Sequence, residues 1–161
     1  MSLTIAQMDL APIMEKRARE LDLAFPRLIQ WTSGRRTVYA QARAMAVNHL
    51  HDPLRYLISQ YANGRKFLQA LEMGPLTGSI EGVTNIFYEL MIREPDLIHS
   101  SHYTGNAVDI QPIEDANGKP TADGDKVIEW INACPDTEDF RTREGSLPRW
   151  HWQTRATVVE V

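Results

Sequence analysis

Cysteine is almost absent from this chain: Cys134 stands alone, which excludes an internal disulfide and any cysteine-based zinc site. Beside Pro135, it reads as a small buried hydrophobe near a helix end. Basic clusters are missing as well. Lysine and arginine number 17 against 21 aspartates and glutamates, a net charge of −4, and that balance argues against a nucleic-acid partner. Long apolar runs are the third absence. No window approaches the ~20 residues that a membrane-spanning helix needs, and Asp9 and Pro12 interrupt the first twenty residues. The N-terminus therefore does not read as a secretory signal. The expectation is a protein made in the cytoplasm without a signal peptide and without a membrane span.

What is present is ordinary for a folded domain. Hydrophobic residues make up 43% and charged residues 24% of 161 positions, enough for one domain, residues 1–161, to bury a core without staples. Apolar spacing predicts a short helix over Pro12 to Leu23, and Leu28 to Thr32 reads as a strand ending at Ser33-Gly34. Thr37 is placed to cap a helix from Val38 to about Leu50. Asp52-Pro53 reads as the start of another, carrying Leu54, Leu57, Ile58 and Tyr61, with Asn63-Gly64 interrupting it before Phe67. Ser79 opens a third helical stretch, which Pro95 closes. Ala107 to Gln111 reads as a strand, Glu114 to Gly124 as a polar loop, and Val127 to Cys134 as a short helix. Phe140 to Val161 looks like strands. The expected class is α+β: a small antiparallel sheet flanked by several helices, with helices early and most of the sheet late.

Two segments carry chemistry. Residues Ser100 to Asp109 read S-S-H-Y-T-G-N-A-V-D, and Trp150-His151-Trp152 follows about forty residues later. If Ala107 to Gln111 is a strand, alternation turns Ala107 and Asp109 one way and the apolar pair Val108 and Ile110 the other. Gly105 permits a tight turn between His102 and that strand. In the later segment, Trp150 and Trp152 share one face, which leaves Arg149, His151 and Gln153 on the other. Two imidazoles and one carboxylate, from His102, Asp109 and His151, make the ligand set of a catalytic zinc site with an open fourth position. His49, His51 and His99 read as bystanders, since residues two apart on a helix do not converge.

The first segment is S-x-H-x-x-G-x-A-x-D without a mismatch, and with Trp150-His151 it resembles the zinc D-alanyl-D-alanine carboxypeptidase family, which includes bacterial D,D-peptidases and many phage endolysins. Ser33-Gly34-Arg35-Arg36-Thr37 followed by Gln41 is similar to that family's S-G-Y-R-S segment with its later glutamine. The resemblance implies Zn2+ held by His102, Asp109 and His151, and an Arg36 that meets the substrate through its fixed donors. Gln41 and Ser100 join Arg36 as candidate substrate-binding residues, Ser100 with the option of bonding backbone or a ligand. It further implies a peptidoglycan stem peptide with D-amino acids as substrate, a monomeric enzyme, and action on the cell wall, with a phage origin compatible with the missing signal. The matched stretches are roughly 31–41 and 100–152; the helical material around 45–95 between them resembles nothing in the family and reads as an insertion.

One position departs from the pattern. Many family members carry E-x-W-H, a glutamate three residues before the last histidine, and here Pro148 occupies that place. Proline moves no proton. Glu144 is the candidate general base instead, if a turn through Gly145 to Pro148 returns the chain toward the cleft; Glu138 and Asp139 are weaker candidates. The alternative expectation is a protein that keeps the metal but lacks a base, acting as a wall-binding or phage structural part. A third is a metal-dependent hydrolase of another amide.

Overall fold

The structure is a computed structural model that describes residues 2–144 and 146–156. In chain order the helices and strands are α1 (Pro12–Ala24), β1 (Trp31–Ser33), α2 (Val38–His51), α3 (Tyr56–Gln60), α4 (Gly64–Met73), α5 (Ile80–Arg93), α6 (Ser101–Thr104), β2 (Ala107–Ile110), α7 (Ala122–Ala133), β3 (Thr137–Glu144) and β4 (Leu147–Thr154). The class is α+β, with seven helices and a four-stranded antiparallel sheet among the described residues. The chain divides into two compact units.

The first unit comprises Met1–Arg35, Ser101–Arg143 and Pro148–Val161. Its sheet runs in the order β1-β2-β4-β3. Trp31 pairs with Ile110 and Ser33 with Asp109, while Asp109 pairs with His151 and Ile110 with Trp150. On one face Val108, Ile110, Trp150 and Trp152 enter a core with Met14, Leu21, Val127 and Ile131. Pro12 sits in the first turn of α1, where its missing N–H costs nothing, and Met14, Ala18 and Leu21 line its buried stripe. Cys134 is buried at the end of α7.

Two boundaries in this unit differ from the sequence expectation. The first strand begins at Trp31, not Leu28, because Arg27 adopts a left-handed φ of 65° and the chain is still turning there. The polar loop ends at Thr121, not Gly124. Thr121 accepts a hydrogen bond from the Gly124 amide at 3.1 Å and caps α7, and Asp123 and Asp125 lie in the favourable first turn.

The second unit comprises Arg36–Ser100 and Glu144–Leu147. Here α2 packs on α5, and α4 packs on α3 and α5. Thr37 caps α2 through the Ala40 amide, and Ser79 caps α5 through the Gly82 amide. Ala42, Met45 and Ala46 are buried on α2, and Val83, Phe87, Leu90 and Met91 on α5. Phe67 of α4 meets Phe87 edge to face at 5.3 Å.

Asp52-Pro53 does not start a helix. Asp52 instead ends α2, its carbonyl accepting from the Tyr56 amide at 3.1 Å and its carboxylate accepting from the Ser146 hydroxyl at 3.0 Å. With the carboxylate engaged there, α3 begins only at Tyr56, and Leu54 and Ile58 face solvent. Gly64 opens α4: a Cβ there would lie 2.0 Å from the Leu57 carbonyl oxygen, so only glycine fits. Among the described residues no helix is long and apolar enough to cross a membrane.

Candidate metal centre

His102 comes from the one-turn helix α6, Asp109 from β2 and His151 from β4. The three are brought together in the first unit and all are buried. Antiparallel pairing sets Asp109 opposite His151, so both point to the same side of the sheet, away from the tryptophan-rich core face. His102 reaches them because Gly105, with φ 78°, makes the sharp turn between α6 and β2.

The Asp109 Oδ1 atom lies 3.5 Å from His102 Nε2 and 3.1 Å from His151 Nδ1. One ligand atom from each residue falls within 4.8 Å of the others. Atoms bound at ~2.0–2.2 Å to a tetrahedral ion stand roughly 3.3–3.6 Å apart, a spacing that Asp109 Oδ1 and His102 Nε2 meet at 3.5 Å, while His151 Nδ1 sits at hydrogen-bond distance from the same oxygen. His102 Nδ1 is 2.8 Å from the Gly34 carbonyl oxygen. A carbonyl only accepts, so Nδ1 carries a proton, and Nε2 is the nitrogen turned toward Asp109. Nε2 of His151 is buried and finds no hydrogen-bond partner among the described residues. A buried polar atom left so asks for a ligand or water. The three residues can hold a metal ion.

A cleft of about 450 Å³ opens beside Asp109, lined in part by Ser33, Gln111, Glu114, Pro148 and Arg149. Glu114 is not a spare base there. Arg143 donates to its two oxygens at 2.6 and 3.2 Å, and the Trp150 indole donates at 2.9 Å. The Arg143 guanidinium holds its carboxyl below the usual range, so Glu114 stays an ionised acceptor.

Arg36, Gln41, Ser100 and Glu144 belong to the second unit. Arg36 donates to Gln41 Oε1 at 3.2 Å. Gln41 Nε2 donates to the Tyr61 hydroxyl at 3.3 Å, and the Tyr61 and Tyr56 hydroxyls are 3.1 Å apart. Asn48 Nδ2 donates to Tyr56 at 3.1 Å and to Glu144 Oε2 at 3.4 Å. Burial, with Tyr56 and Glu144 close by, pushes the Tyr61 hydroxyl well above its ordinary pKa, so it remains a neutral donor and acceptor. Ser100 is half-buried at the end of the same unit. Glu138 accepts from Gln153 at 2.6 Å and Asp139 pairs with Arg141 at 2.8 Å, both at the surface. The expected turn at Gly145 lies outside the described residues.

The sequence reading missed Asn48, Tyr56, Tyr61 and the Gly34 carbonyl. Tyr61 counted as apolar because its spacing fits a helix stripe, and nothing in a helix pattern reveals a hydroxyl that faces another hydroxyl. A backbone carbonyl leaves no residue-type signal. No protein-family model matches the chain, and no curated protein or solved structure matches it either.

Proposed function

We propose that this protein is a zinc-dependent peptidase that hydrolyses a bond in peptidoglycan stem peptides or their cross-links. The observation that carries the reading is the buried His102, Asp109 and His151 group, with the His102 tautomer set for coordination. Two imidazoles and a carboxylate favour a borderline-soft ion such as Zn2+ over calcium or magnesium. When bound, zinc supplies Lewis acidity and brings the pKa of a water to about 7. Arg36 is the group for a substrate carboxylate or for a carbonyl oxygen gaining charge, because its planar fork presents several donors in fixed directions. Gln41 holds one of those donors, which orients the guanidinium, and Ser100 joins the substrate-binding set. Glu144 is the base that takes a proton from the attacking water and returns it to the leaving amine. Asn48 donates to one of its carboxylate oxygens at 3.4 Å and orients the group. Peptidoglycan as substrate, and the cell wall as the place of action, rest on the likeness of the two motif segments to the zinc D-alanyl-D-alanine carboxypeptidase family.

Pro148 favours a second reading, in which the metal is held but no bond is cut and the protein is a wall-binding or phage structural part. One experiment separates them. Protein purified without added metal is assayed for zinc by elemental analysis, then for clearing of a peptidoglycan suspension with and without chelator. One zinc per chain and chelator-sensitive clearing support the peptidase. Zinc without clearing, on peptidoglycan that the protein still sediments with, supports the binding protein. Zinc with hydrolysis of other amides alone points to a different hydrolase, and absence of a tightly held metal overturns both metal readings.

A further inference from the structure

The segment Met8 to Ala11 precedes every motif and would ordinarily count as a connection into α1. Its hydrogen bonds say otherwise. The Gly34 carbonyl that accepts from His102 belongs to the same peptide unit as the Arg35 amide, and that amide donates to the Met8 carbonyl at 2.9 Å. A trans peptide is planar, with its C=O and N–H pointing in opposite directions. Pinning the amide end on Met8 therefore fixes the direction in which the carbonyl end meets the imidazole. A second bond acts on the helix that bears His102. The Ala11 amide donates to the Gly105 carbonyl at 3.0 Å, immediately after α6.

Both contacts are close enough to require glycine. A Cβ on Gly34 would lie 2.4 Å from the Met8 Cβ and 2.7 Å from its carbonyl oxygen. At Gly105, where φ is already 78°, a Cβ would lie 2.8 Å from the Ala11 nitrogen. The segment reaches both glycines because Asp9 takes a left-handed φ of 49°, which aspartate tolerates better than most residues. Arg35 locks that bend, its Nε donating to the Asp9 carbonyl at 2.8 Å and lying 3.2 Å from its carboxylate. Met8, 2% exposed, anchors the whole in the core.

We propose that the Met8–Ala11 segment, locked by Arg35, is the positioning device for the metal ligand His102, setting both its tautomer and its place. This rests on the metal-centre reading and adds to it residues that no ligand pattern contains. Outer partners of metal-binding histidines are typically worth ~10–100-fold in metal affinity.

Ala11→Pro is the discriminating variant. Ala11 has φ −63° and ψ 151°, a backbone conformation open to proline, so the change deletes the donor to Gly105 and sets the ring Cδ against that carbonyl, which breaks the contact. Arg35→Ala is the second variant, removing the lock from an exposed position. Each is measured as folded protein, by circular dichroism, for Zn2+ affinity against a chromophoric chelator. The metal-free proteins are also compared by 15N NMR, which reports whether the His102 proton sits on Nδ1. The expected result is a ~10–100-fold weaker Zn2+ affinity in both variants, with mixed tautomers at His102 and an unchanged fold. Wild-type affinity and an intact Nδ1–H tautomer in both would overturn the positioning role while leaving the metal centre standing. If the wild type binds no Zn2+, the metal reading fails, and the NMR comparison alone decides whether the segment sets the tautomer.

Discussion

The two units handle buried polar groups in opposite ways. In the second, Arg36, Gln41, Tyr61, Tyr56, Asn48 and Glu144 form an unbroken run of hydrogen bonds. In the first, the His151 Nε2 atom lacks a hydrogen-bond partner, beside a second imidazole and a carboxylate. The second unit also has a buried imidazole nitrogen without one, His49 Nδ1, but that ring meets the edge of Phe87 at 6.0 Å and stands in no metal-binding group among the described residues. An unsatisfied buried atom alone therefore marks little. Convergence of three ligand types around it marks a site. The units differ outside as well: of the large apolar residues most exposed to solvent, Leu23 belongs to the first, whereas Leu54, Met73 and Leu76 belong to the second.

The sharpest test of this contrast is metal binding. His102→Ala should lower zinc affinity by more than the ~10²-fold that loss of an outer partner costs, while Gln41→Ala in the polar run should leave it unchanged; elemental analysis of both proteins decides. Equal zinc in the two would erase the distinction between the units.

The next effect concerns chemistry. Glu144→Gln keeps the acceptor for Asn48 but removes the proposed base, so hydrolysis of peptidoglycan should fall by ~10²–10⁴-fold with zinc and thermal stability intact. A normal clearing rate would remove Glu144 from the reaction. Arg36→Lys loses the planar fork and should slow turnover by ~10²-fold, read as kcat in the same assay.

Packing in the second unit comes next. Phe87 is fully buried between α2 and α4, in contact with Phe67 and His49, so Phe87→Ala should cost about 3–5 kcal/mol in denaturant unfolding. Ser79→Ala removes the cap on α5 and should cost about 1 kcal/mol.

The smallest effect is a pH dependence. Burial lowers the His49 pKa from its ordinary 6.5. The native state then binds fewer protons than the unfolded chain. The stability contributed by the neutral ring is complete above pH 6.5 and is lost as pH falls through the folded value. His49→Asn should flatten the fall in urea midpoint between pH 8 and pH 5. An equally steep fall in the variant would assign it to other groups.

Sequence alone determined the α+β class, the Thr37 and Ser79 caps, the closure of α5 before Pro95, and the three residues that could hold a metal ion. These are local or periodic properties: a cap acts within three residues, and alternation along β2 and β4 follows from pleating. Tertiary structure decided the rest. The Asp52 carboxylate accepts from Ser146, far along the chain, so α3 starts late. Gly34 turns its carbonyl to His102 because Met8 holds the adjoining amide, and Tyr61 uses its hydroxyl because Gln41 and Tyr56 meet it. Each of these is a bond whose second partner is set by the fold, and a backbone carbonyl or a tyrosine in an apolar stripe looks the same in a sequence whether or not that partner arrives.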